Sequence, residues 1–249
     1  MEPHSDNAVT FHSRQAAEWE AGYSKREFAV RFAILEDLLK AFNLTDQYWL
    51  DAGCGTGTLS RWLAEKKGCR VLGVDASSEM IANCSRVRGT EFKVVDDIYK
   101  LPFPDSAFDG VLCSSVLEYL DSPENALQEF CRVTRKGGLL LVSVPNSHFL
   151  TRLPVLTLYW LTKSLGRFRQ FSFLDHSEWA YSVESFSELI HRCGFVPRQH
   201  RKYGECRFGK FRIEGQGTMI MFLGGRAVED RLQSGPLSQS AETVVTSAQ

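Results

Sequence analysis

The sequence lacks the long apolar runs and the surplus of one charge that mark membrane proteins and nucleic-acid-binding proteins. No stretch reaches the roughly 18 consecutive apolar residues of a membrane-spanning helix, so we expect no transmembrane segment. The 29 basic and 30 acidic residues nearly cancel, which argues against nucleic acid as a partner. Residues 1–10 are polar, and we therefore expect no secretory signal.

Paired cysteines are also missing. The seven cysteines are scattered and never form a C-x-x-C pair, so we predict no zinc or other metal site. Several lie within apolar segments, where a free thiol packs as a small hydrophobic group. Their odd number and scatter favour a reducing compartment, and we expect a cytoplasmic protein.

What the sequence does contain is an alternation of short apolar strands with amphipathic helices. This alternation predicts an α/β fold with a mostly parallel sheet covered by helices on both faces. Strands are predicted at residues 48–52, 69–75, 91–95, 108–114 and 139–144, with two later strands near 195–203 and 213–223.

The domain organisation follows from changes in this pattern. Residues 1–45 are predicted to form an N-terminal helical cap, and 46–224 the main domain. Within that domain, 146–181 interrupts the alternation with an apolar, helix-like stretch and is predicted to be a lid insert. The polar residues 225–249 are predicted to form a disordered tail.

A glycine-rich turn follows the first predicted strand directly. In Leu50-Asp-Ala-Gly-Cys-Gly-Thr-Gly57, three glycines at alternate positions leave one side of the turn without side chains, so a ligand can approach the backbone closely. The helix predicted over 58–67 would point its unpaired N–H groups at the same place. Asp75 ends the second strand about 20 residues later, where an acid can accept both hydroxyls of a ribose.

Two further features distinguish between adenosine cofactors. A carboxylate at Asp51, before the first glycine, would attract an ammonium group and repel a pyrophosphate. After the third strand, Asp97 could accept the adenine amino group and Ile98 could donate its N–H to a ring nitrogen, with Asp96 as the alternative acceptor. An ammonium group, a ribose and an adenine together describe S-adenosylmethionine, whose demethylated product is S-adenosylhomocysteine.

These motifs together resemble those of the class I S-adenosylmethionine-dependent methyltransferases, in particular the small-molecule branch that includes ubiquinone- and menaquinone-type enzymes. The resemblance covers roughly residues 31–196. Its motifs are the glycine turn, Gly73-Val-Asp75, the stretch 97–105, Phe108-Asp109, the stretch 116–120 and Gly137-Gly138. It implies a Rossmann-like three-layer sandwich with a seven-stranded, mostly parallel sheet whose last strand is antiparallel.

The resemblance also assigns residues to the cofactor. They are Arg31, Asp51, Gly53, Cys54, Gly55, Asp75, Ala76, Asp97, Ile98 and Ser114. Ser114 would lie beneath the cofactor, after the fourth strand. Arg31 could reach the cofactor carboxylate, or it could be an ordinary solvated helix arginine.

Residues on the acceptor side are less strongly indicated. Trp19 and Tyr23 could shield the sulfonium through cation–π contact or pack as ordinary helix residues. Tyr119 stands where related enzymes often carry histidine, and His148 lies just past the fifth strand. His176 is the best general-base candidate because imidazole titrates near neutral pH, and a loop histidine without a role is the alternative.

The expected function is transfer of a methyl group to an oxygen, nitrogen or activated carbon of a small, fairly apolar molecule. The alternatives are methylation of a peptide or protein, and a non-catalytic S-adenosylmethionine-binding scaffold. The apolar stretch 149–165 would wall an apolar pocket or touch a membrane surface, so peripheral membrane contact remains open. A monomer and a homodimer are both compatible with the sequence.

Overall fold

The architecture is a twisted sheet with helices on both faces, seen in a computed structural model that describes residues 8–14, 16, 25–147, 179–204, 206–208, 211–213 and 217–228. The first half of the chain contains α1 (Ala8–Ser13), α2 (Lys25–Leu39), β1 (Tyr48–Ala52), α3 (Thr58–Lys67), β2 (Arg70–Asp75), α4 (Ser78–Ala82), β3 (Thr90–Val94), β4 (Phe108–Ser114) and a 3-10 turn (Leu117–Tyr119). The second half contains α5 (Pro123–Val133), β5 (Thr134–Pro145), α6 (Val183–Arg192), β6 (Phe195–Tyr203), β7 (Cys206–Phe208), β8 (Phe211–Ile213) and β9 (Met219–Arg226).

The main sheet has the strand order β3-β2-β1-β4-β5-β9-β6. Strand β9, the last in the chain, runs antiparallel to both of its neighbours, and the other six strands are parallel to one another. This confirms the predicted seven-stranded, Rossmann-like sheet with an antiparallel last strand. The strand order reverses between β1 and β4, which opens a crevice at their carboxyl ends, where open α/β sheets bind ligands.

Two apolar layers cover the sheet because successive strand residues point to opposite faces. Leu50 of β1 packs in the layer formed by α5 and α6, whose Phe130 and Phe186 are fully buried. The neighbouring Trp49 packs in the opposite layer, against α2 and α3. Burial of both faces explains why the strands read as nearly continuous apolar runs rather than as alternating ones.

The predicted bounds hold for β1, α3 and β4 and shift for two later strands. Strand β5 begins at Thr134 instead of residue 139, so Gly137-Gly138 lies inside the strand, at an irregularity in its pairing with β4. Strand β9 continues to Arg226, which places Gly225 in the sheet and not in the predicted 225–249 tail. The strand extends this far because β5 and β6 still pair with it there, Leu139 and Val196 both opposite Gly225.

The lid prediction falls mainly outside the described residues, which omit 148–178. The two ends of the insert lie side by side, since Ser147 N–H donates to the Tyr181 carbonyl at 2.8 Å and Tyr181 N–H donates to the Pro145 carbonyl at 2.9 Å. Residues 229–249 of the predicted tail also lie outside the described part. Among the helices that are described, none has the length and apolar character required to cross a bilayer.

One arginine of α5 holds the loop that precedes β4. Arg132 donates to the carbonyl oxygens of Leu101 at 3.1 Å and Phe103 at 2.8 Å. It also pairs with Glu129 at 2.6 Å and Asp105 at 2.7 Å. The Glu129 and Asp105 carboxylates raise the pKa of Arg132, so its charge is fixed, and they join the helix to the loop.

We expect the substitution Arg132→Ala to lower the free energy of unfolding by about 2–3 kcal/mol, because it removes the Arg132 bonds to two carbonyls and the cationic partner of a half-buried Glu129. Denaturant unfolding measures this loss. Arg135→Ala is the matched control, since the Arg135 side chain, which pairs with Asp109, is 52% exposed. That change should cost less than about 1 kcal/mol, and equal losses in the two variants would contradict the assignment.

Candidate functional site

A cavity of about 320 Å³ lies at the carboxyl ends of β1, β2 and β4, where the strand order reverses. All ten residues that the sequence assigned to a cofactor line this cavity, and Tyr119 lines it as well. The structure therefore brings them together from six separate stretches of chain. Trp19, Tyr23, His148 and His176 lie outside the described residues, so their places relative to the cavity stay predictions.

The glycine turn depends on glycine for its own backbone conformation. Gly53, Gly55 and Gly57 have φ values of 76°, 52° and 75°, in the left-handed region that disfavours other residues. A Cβ at Gly53 would lie 2.3 Å from Cγ2 of Val116, whose side chain also lines the cavity. The sequence predicted close approach of a ligand, and the structure adds that the protein's own side chains already fill the space beside the turn.

Asp51 is a buried carboxylate at the bottom of the cavity. Its side chain is 2% exposed, and Oδ2 accepts a hydrogen bond of 2.5 Å from the hydroxyl of Ser60 in α3. Burial and the nearby Asp75 charge raise the pKa of Asp51 and the Ser60 bond lowers it, with a net rise to about 7. A buried carboxylate of this kind gains most from a cationic partner.

Asp75 connects the end of β2 to the glycine turn. Oδ2 accepts the N–H of Gly55 and Oδ1 accepts the N–H of Ser77, both at 2.9 Å. Burial raises the pKa of Asp75, while these N–H bonds act in the opposite direction. A carboxylate oxygen accepts more than one hydrogen bond, so Asp75 can hold the turn and still accept ligand hydroxyls.

The loop after β3 offers both candidate acids. Asp96 and Asp97 are exposed and line the cavity, with Ile98 beside them. Oδ1 of Asp97 accepts the N–H of Tyr99 at 2.8 Å, which fixes the loop. Val95 N–H donates to the Asp75 carbonyl at 3.0 Å, so this loop is also tied to the residue that holds the glycine turn.

Several serines complete the site, and the sequence analysis had not assigned all of them. Ser114 shares a hydrogen bond of 3.0 Å with Ser143 of β5, whose hydroxyl also accepts the N–H of Ser115 at 3.0 Å. Ser115 has a φ of 58° and accepts a bond of 3.3 Å from Arg31. No local signal marks Ser60, Ser115 or Ser143, because each acquires its role only through contact between distant parts of the chain.

The outer part of the cavity is apolar and aromatic. Val9 of α1 and Phe28 of α2 line it, and the predicted cap over residues 1–45 stays a prediction. Residues of this wall are Val9, Phe28, Met80, Tyr99, Val116, Tyr119 and Leu120. The indole N–H of Trp179 donates to the Leu120 carbonyl at 2.7 Å, so the segment that follows 148–178 is fixed to this rim. Such a wall suits an apolar ligand group next to the glycine turn and the acidic residues.

Comparison with known proteins agrees with this geometry. Residues 50–142 match the methyltransferase domain family. A malonyl-[acyl-carrier protein] O-methyltransferase of Hamiltonella defensa is 34% identical over 131 residues, which cover 53% of this chain and 49% of that protein. An enzyme of the same name from Enterobacter lignolyticus is 37% identical over 91 residues, or 36% of each chain. The chain thus spans about half or less of the length of the curated relatives it matches.

Solved structures show the same architecture. A chain from the complex between the Haloferax volcanii Trm112 methyltransferase activator and a methyltransferase gives a TM-score of 0.65 at 18% identity, over 90% of this chain and 100% of that one. Magnesium protoporphyrin IX methyltransferase of Synechocystis, solved with bound SAH, gives 0.54 at 18% identity, over 91% and 90%. At this identity the likeness establishes the shared fold.

Proposed function

We propose that this chain, whose residues 50–142 form a methyltransferase domain of the class I S-adenosylmethionine-dependent type, transfers a methyl group to a small, fairly apolar acceptor. The observation that carries the proposal is the buried carboxylate of Asp51, placed in one cavity with Asp75 and an apolar wall. When bound, S-adenosylmethionine supplies an electrophilic methyl group on its sulfonium. The polar residues around the cavity are of the types that would bind its ammonium group, its ribose and its adenine.

Each polar group has a counterpart on the cofactor. Asp51 would bind the ammonium group, and Asp75 would accept the ribose hydroxyls while it holds the turn through Gly55. Asp97 and the N–H of Ile98 would bind the adenine, with Asp96 as the alternative acid. Arg31, whose guanidinium lies beside the Ser115 hydroxyl, would reach the cofactor carboxylate.

The protein's main task in this reaction is to align donor and acceptor and to exclude water. The aromatic rim that includes Phe28 and Tyr119 would do both for an apolar acceptor. The O-methyltransferase activity in the names of the relatives favours an oxygen acceptor over nitrogen or carbon. Methylation of a peptide or protein is the alternative within the class.

Binding and turnover are tested separately. Titration calorimetry with S-adenosylmethionine should give one site per chain, and absence of binding would refute the proposal. Release of S-adenosylhomocysteine in the presence of small hydroxylated or carboxylated acceptors would establish turnover. Tight binding without release for any acceptor, peptides included, would favour the non-catalytic scaffold instead.

For an oxygen acceptor of high pKa, His176 is the proposed general base. We expect His176→Ala to lower turnover near neutral pH and to flatten the rise of the rate with pH, because imidazole takes up the acceptor proton in this range. A pH–rate profile of both proteins measures the effect. Turnover that is unchanged at every pH would show that His176 is not the base.

The raised pKa of Asp51 predicts a pH-dependent affinity. Between pH 6 and pH 8 the carboxyl passes from mostly protonated to mostly ionised, since its pKa is about 7. Because only the ionised form attracts an ammonium group, the affinity for S-adenosylmethionine should rise about fivefold from pH 6 to pH 7, below the pH at which an α-amino group loses its own proton. Calorimetry at several pH values measures it, and Asp51→Asn should flatten the profile.

The stability of the cofactor-free protein should change in the opposite direction. The folded-state pKa of Asp51 lies above the ordinary value of 3.8, so the folded state holds this proton more tightly than the unfolded state does. The contribution of Asp51 to stability is therefore complete below pH 4 and is lost as the pH rises through about 7.

An affinity that is constant between pH 6 and 8 would contradict the assignment of Asp51 to the ammonium group.

Other expectations about the whole protein stay predictions. These are the cytoplasmic location, the monomeric or homodimeric state, and peripheral membrane contact through the 149–165 stretch.

A further inference from the structure

Two thiols meet behind the glycine turn. Cys54 belongs to the turn and lines the cavity, whereas Cys84 follows α4 and lies behind it. Both sulfurs contact the carbonyl oxygen of Gly55, Cys54 at 3.6 Å and Cys84 at 3.3 Å. Two glycines make room for them: a Cβ at Gly73 would lie 2.9 Å from the Cys54 sulfur, and a Cβ at Gly57 would lie 3.4 Å from the Cys84 sulfur.

The surroundings of the two thiols give them different acidities. The two thiols also form a hydrogen bond with each other. This bond lowers the pKa of Cys84, and the charge of Arg61 adds to the effect, whereas burial and the Asp51 and Asp75 charges oppose it. The same hydrogen bond raises the pKa of Cys54, as do burial and the two carboxylates. Cys84 is therefore the sulfur that ionises first, and Cys54 is the donor beside it.

We propose that Cys54 and Cys84 are a redox-sensitive pair that a hydroperoxide oxidises to a disulfide, and that this disulfide weakens cofactor binding. The effect on binding rests on the proposed function, whereas the pairing of the sulfurs does not. The Cys84 thiolate attacks the peroxide O–O bond, which gives a sulfenic acid and, after protonation, an alcohol or water. The Cys54 thiol then displaces water from this sulfenic acid. In total, two thiols lose two electrons and two protons, and the peroxide is reduced.

A disulfide here would move the turn itself. The S–S bond is about 2.05 Å long, so both sulfurs must leave their contacts with the Gly55 carbonyl and draw together. Cys54 lies between Gly53 and Gly55, whose N–H groups bond the Val74 carbonyl at 2.8 Å and the Asp75 carboxylate at 2.9 Å. A shift of Cys54 toward the end of α4 therefore disturbs the groups proposed to hold the methionine end and the ribose.

The other cysteines whose side chains are described are poorer sites for oxidation. Cys69, Cys113 and Cys193 are at most 5% exposed, and burial raises the pKa of each thiol. Cys131 is partly exposed, and burial raises its pKa too. Cys131→Ser is consequently a suitable control, because it removes a partly accessible thiol that does not line the cavity.

The test compares the full chain in reduced form, after treatment with hydrogen peroxide, and after reduction again with dithiothreitol. We expect a mass loss of two hydrogens and a peptide that links Cys54 to Cys84. The affinity for S-adenosylmethionine, measured by calorimetry, should fall about tenfold or more on oxidation and recover on reduction. Because all three states are wild type, the test does not depend on a variant that folds.

Two variants test whether the loss of affinity on oxidation requires the Cys54–Cys84 pair. Cys84→Ser should show neither the crosslink nor a change of affinity on peroxide treatment, whereas Cys131→Ser should respond as the wild type does. Absence of a 54–84 crosslink, or a crosslink with unchanged affinity, would overturn the proposal. If the reduced protein does not bind S-adenosylmethionine, the proposed function fails, and peptide mapping by itself still decides whether the two sulfurs pair.

Discussion

Asp75→Ala is expected to weaken S-adenosylmethionine binding by about 100-fold or more. The substitution removes the proposed acceptor of the ribose hydroxyls, and charge-assisted hydrogen bonds of this kind contribute about 1.5–3 kcal/mol each. It also removes the partner of the Gly55 and Ser77 N–H groups, both bonded at 2.9 Å, so the turn keeps only its bonds to the Val74 carbonyl of β2. Two losses at one residue explain the size of the expected effect.

Calorimetry of purified, folded protein measures this change, with circular dichroism to verify folding. Glu65→Ala is the control, because it removes an exposed carboxylate from the helix that follows the same turn. Asp75→Asn keeps the size of the side chain and one acceptor oxygen, so it should bind with intermediate affinity. A folded Asp75→Ala protein with the wild-type affinity would remove Asp75 from the proposed site.

The sheet, the glycine turn and the acids of the site were predictable because each depends on residues that are neighbours in the sequence. Strands β1 and β4 are mostly apolar, as burial on both faces requires, and their bounds agree with the prediction. The glycine turn follows β1 immediately, and acids end β2 and follow β3. In a parallel sheet the carboxyl ends of the strands meet at one edge, so residues that are distant in sequence come together there.

The partners of these residues could not be predicted in the same way. Ser60 bonds Asp51 from the first turn of α3, and Arg31 meets Ser115 across 84 positions. Serines and arginines are common on any helix, and only the packing of one element on another selects these. The same reasoning applies to Gly225, which belongs to β9 because β5 and β6 pair with it on either side.

The site also combines groups that oppose one another in the cofactor-free protein. Asp51 and Asp75 both have their pKa values raised by burial, and the charge on Asp75 raises that of Asp51 further. A bound cation would relieve this repulsion, since it interacts with the ionised form of Asp51. The ends of β1 and β2 hold the two carboxylates near each other. The same arrangement therefore causes their mutual repulsion and the attraction of a cationic cofactor group.

Gly53→Ala is expected to reduce S-adenosylmethionine affinity by about 100-fold or more and to lower the free energy of unfolding by about 3 kcal/mol. With φ at 76°, a residue other than glycine is strained by about 1–2 kcal/mol. The added Cβ would also lie 2.3 Å from Val116 Cγ2, so the Val116 side chain, which lines the cavity, must shift. Thermal unfolding and calorimetry measure the two effects.

Gly68→Ala separates the backbone conformation from the steric overlap. Gly68 has a φ of 70°, but a Cβ there would meet Thr45 at 3.7 Å, an ordinary contact, and it does not line the cavity. That variant should lose about 1–2 kcal/mol of stability and keep its affinity. The double variant Gly53→Ala, Val116→Ala removes the overlap and should regain part of the stability but not the full affinity, because the turn remains strained. If Gly53→Ala binds S-adenosylmethionine as tightly as Gly68→Ala does, binding does not depend on the shape of this turn. The residues that bind the cofactor would then lie in another part of the cavity.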